Sequence, residues 1–169
     1  MSPSKVLEHY LMESLMSQSK KKQEQLRLRS FDRSLPMTLL RAREAVMKKF
    51  IPSLQEHGLS TQQWRSIRAL MQEDGLEIST LANRCHLLLP SMSRIVQNLE
   101  ARNLIERRNV KSDQRRKAIF LTDAGRSIFK EIEPKSAERY ERITEQFGED
   151  KLEQLYGLLQ DLVVSLEED

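Results

Sequence analysis

Three observations predict a mostly α chain containing a winged helix-turn-helix, with a two-stranded β-hairpin wing and long terminal dimerisation helices. The 169 residues include only five glycines and five prolines, and they are rich in Leu, Glu, Gln, Lys and Arg, which lose little freedom in a helix. Two short apolar-periodic segments, one carrying Leu81, Ala82 and Cys85 and the next Met92, Ile95, Val96 and Leu99, are joined by a tight turn in helix-turn-helix proportions. After Asn103 the pattern becomes strand-like, with residues 104–108 and 118–121 flanking a basic stretch, as a hairpin requires.

Residues 1–33 are polar and read as an N-terminal arm. The first helix, in segment 34–58, is expected from about Ser34 to His57 with Gly58 as its C-cap, and its apolar stripe runs through Leu39, Leu40, Val46, Met47, Phe50, Ile51 and Leu54. Pro52 should distort it near its end. This helix is assigned to dimerisation and to the wall of a ligand pocket. A DNA-binding lobe is expected over residues 59–122. Ser60 and Gln63 have capping-box spacing, and Trp64, Ile67, Leu70 and Met71 give the following helix its buried face, up to a stop near Asp74–Gly75. A third helix should start after Ser79 and a fourth at Pro90–Ser91.

Residues 123–169 are expected to form C-terminal dimerisation helices. One starts at Thr122–Asp123–Ala124–Gly125 and bends at Pro134, and the last runs from about Asp150. Leu152, Leu155, Tyr156, Leu158, Leu159, Leu162, Val163 and Leu166 on that last helix exceed what one small helix needs to bury. A second copy related by two-fold symmetry would cover the surplus.

Composition excludes several classes. A single cysteine, Cys85, rules out a disulfide framework and a Cys-based zinc site. No run approaches the roughly 18 to 20 apolar residues of a membrane span, and Met1–Lys5 lacks an apolar signal core, so a cytoplasmic protein without membrane contact is expected. The three histidines are scattered, and no phosphate loop or nucleophile motif occurs. No catalytic group, metal or cofactor is therefore expected, and the chain is read as a non-enzyme.

Charge is unevenly spread. Residues 84–117 hold nine Lys/Arg against three Asp/Glu, whereas residues 123–169 hold six against thirteen. The basic half is suited to a polyanion, the acidic half is not. On the fourth helix, Ser91, Ser93, Arg94 and Gln97 have the chemistry to read a major groove: Arg bonds guanine bidentately, Gln bonds adenine, and Ser reaches phosphate or base. Ser91 is equally suited to capping its own helix. In the wing, Arg115 or Arg116 could enter an A·T-rich minor groove. Asp113 would aim a neighbouring arginine, while Arg107, Arg108, Lys111 and Lys117 are simpler phosphate contacts. A dimer would present two such helices to double-stranded DNA, on a pseudo-palindromic site with half-sites roughly 34 to 36 Å apart.

Arg43 interrupts the first helix's apolar stripe between Leu39 and Met47, and a half-buried Arg needs a partner. An acidic side chain, Glu44 or Glu77, would serve. A small aromatic carboxylate effector would serve as well, with Met47 and Trp64 as wall and Arg68 as a second donor. His86, near the start of the turn before the fourth helix, is either an ordinary surface or packing residue or part of the coupling between pocket and DNA reader. Cys85 follows an apolar spacing and reads as core, with a redox role as its alternative.

Leu59–Trp64, Leu99–Arg107, and Asp113–Gln114–Arg115–Arg116 followed by Leu121–Thr122–Asp123–Ala124–Gly125 resemble, in this order, the multiple-antibiotic-resistance regulator (MarR) family of winged helix repressors. The resemblance covers about residues 35 to 166. It implies that Arg115 is the wing arginine, Asp113 its support and Arg94 the recognition-helix arginine. Leu40–Ala45 and Gln62–Arg65 are further similar to repressors of homoprotocatechuate and hydroxycinnamate breakdown, which implies a phenolic acid or its thioester as inducer. A regulator of stress or drug resistance with another effector, or with none, is the alternative. The long polar arm and the run Leu87–Leu88–Leu89 depart from the family pattern.

Overall fold

A computed structural model of the chain describes residues 31, 34–110 and 113–167. The expected arm lies outside the described residues except for Phe31. The chain divides into two units, Met1–Ala45 and Val46–Asp169. The described elements are α1 (Leu35–Glu56), α2 (Thr61–Gln72), β1 (Leu76–Glu77), α3 (Ile78–Arg84), α4 (Leu89–Ala101), β2 (Ile105–Val110), β3 (Asp113–Leu121), α5 (Asp123–Phe147) and α6 (Glu149–Glu167). Pro52 and Pro134 lie inside α1 and α5 respectively, neither of which is interrupted. Among the described residues no helix is long and apolar enough to cross a membrane.

Most of the second unit's helix ends are set by local chemistry. Ser60 and Gln63 form the expected capping box: the Ser60 hydroxyl accepts from the Gln63 amide, and the Gln63 side chain accepts from the Ser60 amide. Three helices then stop in the same way. Gly58, His86 and Asn103 have φ of 61°, 48° and 55°. The amide after each reaches back five residues, Leu59 to Leu54, Leu87 to Ala82 and Leu104 to Leu99, at 2.9 Å each. This is the Schellman arrangement, in which a left-handed residue lets the chain turn while the last carbonyls stay bonded and an apolar residue folds back onto the helix.

Two expected starts shift. The third helix begins at Ile78 rather than after Ser79, directly from β1. The fourth begins at Leu89, with Leu88 in the N-cap position and Pro90 in the first turn. Ser91 is therefore inside that turn and does not cap it. Proline suits this place because the first amides of a helix have no internal partner and its φ is already helical.

The hairpin is present, with a third strand added: the sheet order is β1-β3-β2, all antiparallel. β1 pairs Leu76 with Ile119 and Glu77 with Ala118; a two-residue strand is too short to show alternation in sequence. The hairpin strands are longer than expected. Asp113–Arg116 lie on β3 and not in a loop, with a register irregularity between Asn109 and Val110.

Leu54, Leu59, Trp64, Ile67, Leu70, Leu81, Cys85, Met92, Val96, Leu99, Ile105, Ile119 and Ile132 form one core, tying α2 to the helix-turn-helix, sheet and α5. Asp74 fixes the sheet against α5. One carboxylate oxygen accepts the Leu121 amide at 2.9 Å and the Gly75 amide at 3.2 Å, and the other accepts from Arg126. Thr122 caps α5 by accepting the Gly125 amide at 3.1 Å and donates to the Asn103 carbonyl at 2.6 Å. Arg102 donates to the His57 and Gly58 carbonyls at 2.9 Å, closing the end of α1.

Candidate functional site: a groove-reading head and an aromatic cavity

The helix-turn-helix is α3 and α4. On α4, Pro90, Arg94, Gln97 and Ala101 are all exposed at i, i+4, i+7 and i+11, so they share one face, opposite the buried Met92, Val96 and Leu99. Ser91, Arg94 and Gln97 carry no side-chain hydrogen bond or ion pair among the described residues. Their polar groups are thus available to a ligand. Ser93 differs: its hydroxyl donates to the Leu89 carbonyl at 2.9 Å. A hydroxyl has one proton, so Ser93 is left as an acceptor and is suited to a base amino group rather than to phosphate.

On the wing, Arg108 donates to Glu106 and lies over the Phe120 ring, 4.8 Å from its centroid. The Glu106 hydrogen bond raises the guanidinium pKa above its ordinary value. Two neighbours therefore aim this cation. Arg107 pairs with Glu100 at 3.4 Å. Asp113, Arg115 and Arg116 are placed on β3 by the backbone, and Lys111 lies outside the described residues.

The second unit contains a cavity of about 210 Å³ lined by Phe50, Trp64, Arg68, Phe129, Glu133, Ser136, Ala137 and Tyr140. Trp64 stacks on Phe129 with ring centres 5.4 Å apart, and Phe50 meets Tyr140 at 5.0 Å in a tilted pair. These walls suit a flat ring. Arg68, exposed and without an ion-pair partner among the described residues, supplies one cation; Glu133, Ser136 and Tyr140 supply polar groups that can bond a hydroxyl.

Of the residues expected at a pocket, Trp64 and Arg68 line this cavity together, whereas Arg43, Met47 and His86 are not among its lining residues. Arg43 is bonded to Glu44 at 2.7 Å and its side chain is half exposed. Met47 is half-buried. His86 is exposed in the helix-turn-helix turn, where its left-handed backbone ends α3. Phe50, Phe129, Glu133, Ser136 and Tyr140 were not foreseen as site residues. The signal available was helical spacing on α5, where Phe129, Glu133, Ser136 and Tyr140 recur at i, i+4, i+7 and i+11.

Residues of α2 at the cavity's edge also contact the helix-turn-helix. Trp64 and Arg68 line the cavity. Gln63 donates to Asn98 of α4 at 2.6 Å, the Ser66 hydroxyl lies 3.7 Å from the Met92 sulfur, and Arg65 donates to the Cys85 carbonyl at 2.7 Å. One short helix thus touches both sites. Cys85 itself is fully buried, and burial pushes its thiol pKa up, the reverse of what a reactive thiolate needs.

A family model described as MarR family matches residues 57–116. The chain is 38% identical over 129 residues to the HTH-type transcriptional regulator FarR of Neisseria gonorrhoeae, covering 76% of this chain and 88% of the relative. It is 35% identical over 130 residues to the homoprotocatechuate degradative operon repressor of Escherichia coli, covering 77% and 88% respectively. Among solved structures, NadR in complex with 4-hydroxyphenylacetate superposes with a TM-score of 0.68 at 37% identity, covering 80% of this chain and 96% of that one.

Proposed function

The chain belongs to the MarR family of winged helix DNA-binding transcription regulators, and from that premise we propose that it is a homodimeric repressor of a catabolic operon, released from a pseudo-palindromic operator by a single-ring aromatic acid. The observation that carries this reading is Arg68, a cation without an ion-pair partner among the described residues, beside two aromatic pairs in one cavity. The carboxylate would meet Arg68 and the ring would lie between Trp64 and Phe50, with a phenolic hydroxyl bonded by Glu133, Ser136 or Tyr140. Size favours the free acid over a thioester. A cavity of about 150 Å³ admits a benzene ring, so about 210 Å³ holds one substituted ring and leaves a coenzyme A portion outside.

The homoprotocatechuate operon repressor and the 4-hydroxyphenylacetate complex of NadR support an effector of this class. Dimerisation is supported by α6, where Tyr156, Leu158, Val163 and Leu166 are 48%, 68%, 47% and 66% exposed in the single chain. Such a face demands a cover. On DNA, Ser91, Ser93, Arg94 and Gln97 would enter the major groove, and Arg108, Lys111, Arg115 and Arg116, with Asp113 in support, would follow the backbone and minor groove. Release follows if the effector binds better to an α2 position that withdraws α4 from the groove, since only differential affinity shifts an equilibrium.

Trp64 is the one tryptophan of the chain, so its fluorescence reports the cavity directly. Titration with 4-hydroxyphenylacetic, homoprotocatechuic and hydroxycinnamic acids should quench it saturably. The same acid should release the protein from its own upstream DNA at matching concentrations. Quenching without release would remove the effector role, and release without quenching would move the site elsewhere.

A further inference from the structure

We propose that Leu88 and Leu89, at the head of α4, form an apolar tip that packs against thymine 5-methyl groups in the major groove and sets part of the sequence preference. The inference rests on the reading of α4 as the groove helix. Leu88 is 78% exposed and Leu89 48% exposed, whereas the adjoining Leu87 packs against the core. Burial therefore does not explain them. Capping does not either: Leu88 holds the N-cap position and makes no side-chain cap bond, at a place where Ser, Thr, Asp or Asn would stabilise the helix. Among the described residues Leu88 has neither a cap bond nor a cover, so its side chain is open to a ligand.

The occupant follows from the surroundings. Two leucines are far below the area a stable protein interface needs, about 800 Å² per partner, and the free polar groups of Ser91 and Arg94 begin three and six residues later. In the major groove the thymine methyl is the apolar group that a base edge presents, and alkyl side chains contact it. Placement is rigid as well: Leu88 has extended backbone (φ −66°, ψ 141°), and Pro90 fixes the first turn. The tip precedes Arg94 and Gln97 on the same helix, so methyl contacts would lie beside the bases those two side chains reach.

The test uses the full chain and duplexes selected by it from a randomised pool, with deoxyuridine then replacing each thymidine in turn to delete one methyl. Wild-type binding should weaken about three- to tenfold at one or two thymines per half-site. Leu88→Ala combined with Leu89→Ala should bind the thymine duplex weakly and show less than about a twofold effect of uracil. Leu88→Ser combined with Leu89→Ala provides a fold control, because a serine cap should raise the Tm above that of the double alanine variant while the methyl dependence is still lost. Uracil substitution without effect on the wild type, or equal uracil sensitivity in wild type and variants, overturns the inference and leaves the groove reading intact. A protein that enriches no sequence at all overturns both.

Discussion

Gly125 lies against the Leu104 carbonyl so closely that a Cβ at position 125 would stand 2.1 Å from that oxygen. The contact joins the first turn of α5 to the residue that closes the Schellman end of α4. Backbone meets backbone there, so no side-chain rotation relieves a clash. Gly125→Ala is expected to lower stability by about 2–4 kcal/mol, as overpacking without relaxation does, with a matching fall in Tm and in DNA binding by thermal melting and gel shift. An unchanged Tm would mean that α5 is free to move away from the sheet.

This contact also shows what was legible in the sequence and why. Thr122–Asp123–Ala124–Gly125 announced a helix start, and Ser60 with Gln63 a capping box, because such signals are local and are written in neighbouring residues. The exposed polar face of α4, opposite the buried Met92, Val96 and Leu99, was legible from its periodicity. β1 was not, since two residues carry no period, and the start of α4 was missed because a leucine occupies the place where a polar cap is expected. The cavity was half legible: Trp64 and Arg68 are one turn apart, but Phe50 and Phe129 join them only through tertiary packing. Arg43 drew attention by breaking an apolar stripe, yet Leu39, Leu40 and Val46 of that stripe are 39%, 46% and 41% exposed in the single chain.

Removing the cavity's cation should separate effector binding from DNA binding. Arg68→Met keeps the alkyl stem and deletes the charge. Affinity for the aromatic acid, read by Trp64 quenching, is expected to fall about tenfold, the value of one charge-assisted bond at a partly exposed site. Affinity for DNA without effector should change by less than about twofold, because Arg68 lies on the cavity and not on α4. Equal loss of both would show that Arg68 serves the fold.

The bond from Gln63 to Asn98, at 2.6 Å, is a direct polar link between α2 and α4. Asn98→Ala breaks it on the exposed side and should cost about 1 kcal/mol or less. The expected functional change is in coupling: the ratio of DNA affinities with and without effector should approach one while each separate affinity changes little. A preserved ratio would assign the coupling to Arg65 and the Cys85 carbonyl instead.

Cys85 should be inert in the folded protein. Its thiol is fully buried, and burial raises its pKa above the ordinary 9.0. The folded state then favours the neutral thiol, so stability from this group is complete below pH 9.0 and declines as the pH climbs past it. Alkylation at pH 7.5, followed by mass, should be slower by about a hundredfold or more in native than in denatured protein, and peroxide should leave DNA affinity unchanged. Fast native labelling would restore a redox role.

His86 ends α3 with φ of 48° and its side chain exposed, a conformation that costs a side-chain-bearing residue about 1 kcal/mol relative to glycine. The Leu87 amide still reaches the Ala82 carbonyl at 2.9 Å, so the turn is held by its backbone bonds and its folded leucine. His86→Gly should therefore raise the Tm slightly, and His86→Val should lower it, because branching at Cβ crowds the left-handed region further. If the residue serves the turn alone, the glycine variant keeps its full response to the aromatic acid. A glycine variant that melts higher but no longer releases DNA would give the imidazole a part in the coupling, since the turn that it occupies leads directly into Leu88 and α4.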